Sequence, residues 1–210
     1  MKSPYYLITL LFLFNCTKEP VVDYTDSLTK DSITISAEPT INKNSEDFIL
    51  KDFNDKVLKS LKEKDYNQFA TFIHPEKGIS FSMYGFINPK KDKHFTPAEF
   101  KKYISTDIKF TWGEKDGTGD LLQMSLKNYL EKWVFVKDFT QGEFSLNEIK
   151  HSGNTINNLK EVYPNSIFTE NYLKGTKEYA EMDWNSLKLV FQEYKGKLFL
   201  VGIINNQWTI

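Results

Sequence analysis

The chain has 210 residues, 27 basic and 28 acidic, and a formal net charge of −1, which excludes the clustered basic excess of a nucleic-acid binder. Every basic residue is Lys, so guanidinium clamps on phosphate or carboxylate are excluded as well. Cys16 stands alone and allows no disulfide within the chain, so packing by an aromatic content of 15% must supply the stability.

The first readable stretch is Leu7 to Phe14, an apolar run behind Lys2 that ends near Cys16. It is too short to span a bilayer stably and has the proportions of a secretory signal. Leu13, three residues before Cys16, gives the stretch its likeness: it resembles a bacterial lipoprotein signal with its lipobox. Phe14 and Asn15 stand where that motif usually has small residues. The resemblance implies removal of residues 1–15, acylation of Cys16 and attachment to the lipid bilayer. Thr17 is not acidic, and by the same resemblance the destination is the outer membrane rather than the inner one. A plain secretory signal, or an uncleaved anchor with an incidental cysteine, is the alternative. Residues 16–44 hold few large apolar side chains and are broken by Pro20 and Pro39, so they read as a flexible polar tether. Its root-mean-square reach is roughly 30 Å.

A single domain is expected over 45–210. Ser45 reads as a cap, with Glu46 and Asp47 in the first turn, and Leu50, Phe53, Val57, Leu58 and Leu61 recur at helical spacing. Asp65 opens a second helix through Phe69 and Ile73 that must stop at His74, before Pro75. The period then changes. Ile79 to Met83 alternates as a strand, and Asn88 to Lys93 reads as a charged loop. Thr96-Pro97-Ala98-Glu99 is a capping box with proline at the first helical position, opening a short helix to about Ile104. Lys109 to Trp112 reads as a strand, Gly113 to Asp120 as a turn, and Ser125 to Trp133 as a further helix. Residues 138–163 are the least periodic and read as an insertion, with a helix near Ile156 to Val162. Ile167 to Tyr172 and Trp184 to Tyr194 read as strands. After a turn at Lys195-Gly196-Lys197, the near-continuous apolar run Leu198 to Ile204 predicts a strand covered on both sides. Trp208 and Ile210 are expected to close the edge of the core.

The fold class predicted is α+β. The stretch Val57 to Phe81, especially Leu58 to Phe69, and the closing Asp183 to Ile204 resemble the NTF2-like, or cystatin-like, superfamily. That resemblance implies N-terminal helices packed on a curved, mostly antiparallel sheet, with a pocket at the mouth of the resulting cone.

Candidate chemistry is sparse. His74, His94 and His151 lack the spacing of a zinc site, and no cofactor motif is present. His74 is the one imidazole placed to act as acid or base at a cone mouth, with a helix cap as its plainer role. Asp183 beside Trp184 could be a carboxylate of raised pKa at a pocket wall, or a strand-start residue next to a core indole. His74, Trp112, Trp133, Asp183 and Trp184 are the expected pocket residues. Glu114, Asp116 and Asp120 crowd one turn, but their spacing misses the calcium loop, and a solvated turn is the simpler account. Three functions remain open. The first is a non-catalytic binder of a small apolar ligand or an envelope protein. The second is an envelope enzyme of hydratase, isomerase or hydrolase type using His74 or Asp183. The third is a structural or surface-exposed interaction protein.

Overall fold

The computed structural model describes residues 43–151 and 153–209, which belong to one compact unit. Cys16, the apolar stretch before it, the tether up to residue 42 and Ile210 lie outside the described residues. Helix α1 runs Lys43–Lys62, beginning before Ser45, and buries Leu50, Val57, Leu58 and Leu61 along one stripe. Asp65 then caps α2 (Tyr66–Phe72) by accepting the Gln68 N–H at 2.9 Å. The capping box forms at α3 (Pro97–Tyr103), where Thr96 and Glu99 each satisfy the other's backbone N–H.

These three helices lie on one face of a six-stranded sheet. Its strands are β1 (Ile79–Ser82), β2 (Lys93–Phe95), β5 (Glu143–Leu146), β6 (Ile167–Leu173), β7 (Asn185–Tyr194) and β8 (Lys197–Gln207). Their order is β2-β1-β8-β7-β6-β5. The sheet is mixed: β1 runs parallel to β8, and every other pair is antiparallel. A separate hairpin of β3 (Lys109–Glu114) and β4 (Leu121–Ser125) leads into α4 (Leu126–Tyr129) and a π-turn at Leu130–Val134. The expected covered strand is β8, buried from Leu200 to Asn206 and flanked on both sides. Lys195 and Gly196, with φ of 51° and 72°, give the two-residue β7–β8 turn the twist that matches its strands.

The core on the helical face joins Val57, Phe69 and Phe100 from the helices to Phe81, Leu189, Phe191 and Ile203 from the sheet. On the other face a smaller cluster of Phe168, Val190, Ile204, Ile87 and Leu159 is packed against by Ile149, Val162 and Tyr163, the last two in or just after α5 (Leu159–Val162). Strands β2, β4 and β5 carry no clear sequence signal. β2 takes up the end of the predicted charged loop, and β5 draws the start of the 138–163 segment into the sheet as an edge strand. Trp208 does not close the core edge; it is 39% exposed.

Candidate functional site

Towards the N-terminal end of α1, Ile49 remains 57% exposed and Phe53 half-buried, and both line a gap shared with Gly196, Lys197 and Leu198 at the β7–β8 turn. The gap is an apolar groove of about 570 Å³. Ile49 and Phe53 of α1, Phe72 of α2, and Leu198 and Phe199 of β8 line it, with Asp52, Lys56, Thr71 and Lys197 also in its lining. A smaller cleft of about 210 Å³ shares Ile49 and Leu198 and extends to Leu50 and Ile167. The wall is fixed by edge-on contacts of Phe53 with Phe72 at 5.3 Å and with Phe191 at 5.4 Å. Lys56 is paired with Asp52 at 2.5 Å, one helical turn away.

His74 stands immediately behind this groove. Its ring packs on Phe199 at 5.8 Å and Tyr194 at 5.2 Å, and it is 2% exposed. The Nδ1 atom accepts the backbone N–H groups of Glu76 and Lys77, at 3.2 and 3.0 Å, closing the turn after α2. Accepting two donors requires the neutral ring with its proton on Nε2. Burial, reinforced by the Lys77 charge, holds the imidazole pKa below its usual range.

Asp183 lies before the other end of β7. Its carboxylate accepts the Thr176 N–H at 2.6 Å and sits 3.7 Å from Lys137 Nζ, while the Lys137 ammonium also donates to the Asp183 carbonyl. The Thr176 N–H, before all else, keeps this carboxyl below the usual range, so it remains ionised. The raised pKa expected of Asp183 as a general base is not found. Trp184 packs away from the groove, over Gly153 and beside Tyr172. Trp112 stacks flat on Tyr129 at 3.6 Å and donates to the Met124 carbonyl. Trp133 donates to the Met83 carbonyl and meets Tyr84 edge-on. Trp112 belongs to the helical-face core and Trp133 packs against it. Of the five expected pocket residues, only His74 therefore adjoins the groove.

Glu114 ends β3, and the Lys115 N–H donates to the Asp120 carbonyl while the Asp116 N–H donates to the Tyr84 hydroxyl. Among the described residues no group of three His, Cys, Asp or Glu side chains is placed to hold a metal ion. None of the described helices is long and apolar enough to cross a membrane. Phe53, Phe72, Leu198 and Phe199 were legible as core residues but not as a groove wall, since the wall exists only where two helices and a hairpin meet. No protein-family model and no curated protein matches this sequence.

Proposed function

We propose that this chain is a lipid-anchored envelope protein, acylated at Cys16 and held at the outer membrane, whose domain binds a small apolar ligand or an envelope partner. The observation that carries the reading is the aromatic-walled groove of about 570 Å³ beside α1. The use of His74 Nδ1 and the Asp183 carboxylate as fasteners for local backbone supports binding over catalysis. The finer fold assignment, an NTF2-like (cystatin-like) cone, belongs to the same proposal. It is supported by a long helix and a short successor lying on one face of a sheet that has the β7–β8 hairpin near its centre.

Two experiments test the parts separately. Metabolic labelling with a fatty-acid analogue should mark the wild type and not Cys16→Ala; incorporation that persists in the variant overturns the anchor. Titration with an anilinonaphthalene sulfonate dye should show saturable fluorescence enhancement that Ile49→Lys abolishes. Enhancement unchanged in that variant removes the groove as the binding site.

A further inference from the structure

The groove beside α1 continues beyond its own walls at both ends. Through Ile49 and Leu198 it meets the smaller cleft that holds Leu50 and Ile167. Through Lys56 and Phe72 it meets a further cleft of about 250 Å³ that reaches Glu63 and Asp65. The three follow α1 from Glu46 to Glu63, a length of about 26 Å at 1.5 Å per residue. A track of that length suits a chain-like ligand.

Its polarity is graded. The middle is walled by Phe53, Phe72, Leu198 and Phe199, and the end at Leu50 and Ile167 stays apolar apart from Glu46 and Glu193. The end towards Asp65 is polar, with Phe72 as the one apolar residue in its lining. In the middle stretch the one uncharged polar side chain, Thr71, donates to the Gln68 carbonyl at 2.7 Å and accepts from the Gln68 amide at 3.3 Å. Polar groups spread along a ligand would find no free neutral side chain there, a cost that a plain hydrocarbon chain avoids.

The charges are placed as unevenly. Asp52 and Lys56 neutralise each other at 2.5 Å, and Lys59 has Glu63 at 3.8 Å. Asp65 is occupied as the cap of α2. Lys197, in the lining of the middle stretch, has no acidic partner among the described residues. An anionic group is therefore drawn to Lys197 and turned away from the Leu50 and Ile167 end by Glu46 and Glu193. We propose that the groove holds a fatty acid, its carboxylate at Lys197 and its hydrocarbon tail laid over Phe53 and Leu198 towards Ile49 and Ile167. This rests on the reading of the groove as the ligand site, and it narrows the ligand to a single-chain anionic amphiphile.

Calorimetric titration of the full chain with dodecanoate, and with dodecanol as the uncharged chain of equal length, tests it. Physiological ionic strength screens charges beyond about 8 Å and so isolates the contact at the head group. Dodecanoate should bind saturably, and Ile49→Lys should abolish that binding. Lys197→Glu, at an exposed side chain, should weaken dodecanoate about tenfold and leave dodecanol unchanged. Lys195→Glu, in the same turn but outside the groove lining, should weaken dodecanoate less than about threefold. Equal weakening by the two lysine variants, or dodecanol weakened as much as dodecanoate, overturns the fatty acid. Dodecanoate binding that survives Ile49→Lys places the site elsewhere and overturns it too. No dodecanoate binding by a chain whose dye enhancement still depends on Ile49 overturns the fatty acid and leaves the groove standing. Dye enhancement indifferent to Ile49→Lys overturns both.

Discussion

The two faces of the sheet are covered by different means. On the helical face 24 buried side chains among the described residues form one cluster, and the covering pieces are largely helices and a hairpin whose backbone bonds are satisfied internally. On the opposite face the apolar cluster has 6 buried members among the described residues, and part of the cover is a chain segment, residues 147–151 and 153–158, that meets the buried Glu170–Lys188 ion pair through the Lys150 N–H. A burial of about 25 cal/mol per Å² places most of the stabilisation on the first face. The second face instead carries a buried charge pair, which costs stability once either partner is lost.

The sharpest way to break this comparison is to empty each face in turn. Phe191→Ala, at a fully buried ring on the helical face, should cost about 3–5 kcal/mol in urea unfolding. Ile149→Ala, in the segment that covers the smaller cluster, should cost about 1 kcal/mol or less; equal losses would mean that the two covers are equivalent. Next comes the ion pair. Lys188→Met leaves Glu170 buried and unpaired, at a cost of about 3–5 kcal/mol, whereas the double variant with Glu170→Met should recover to within about 1 kcal/mol of wild type. A double variant no better than the single one would make the pair a net source of stability.

A smaller effect follows from His74, whose folded pKa lies below its unfolded value of about 6.5. The unfolded chain then binds the extra proton. The contribution is complete above about pH 6.5 and is lost as pH falls through the folded pKa. Thermal unfolding from pH 7 to 5 should show the loss in wild type and a flatter profile in His74→Asn, whose amide oxygen can accept the same two N–H groups without titrating. The depressed carboxyls of Glu131, Asp138 and Asp183 act in the same sense but only below about pH 4, so the two windows are separable. Smallest of all, Ile49→Lys should change stability by no more than about 0.5 kcal/mol, because its side chain is already mostly in water, while still abolishing dye binding.

What could be read from the sequence was what is written locally. The stripe of α1, the Thr96–Glu99 box and the apolar run of β8 each depend on neighbours within a few residues. The buried pair was illegible for the opposite reason. Ser186 and Lys188 alternate with Leu187 and Leu189 and so read as the wet side of a half-buried strand. What dries them includes a segment around Ile149 and Lys150, more than 35 residues earlier along the chain, that packs on this face and bonds Glu170. The signal that could have found it is Glu170 aligned with Lys188, and that appears only once β6 and β7 are placed in register. Edge strands β2 and β5 are short and each begins with a charged residue, and they gain their identity from the strand beside them.

The position of β8 has a consequence for how the protein is made. It pairs with β1 on one side and β7 on the other, yet it leaves the ribosome after every other described strand. Until Lys197–Gln207 emerges, β1 has no parallel neighbour and the helices have half a sheet to settle on. Closure waits on a contact between strands more than 100 residues apart, the kind of pairing that slows folding most. The sheet formed by the described strands therefore cannot close until β8 has been made, which leaves the edges of β1 and β7 unpaired up to that point.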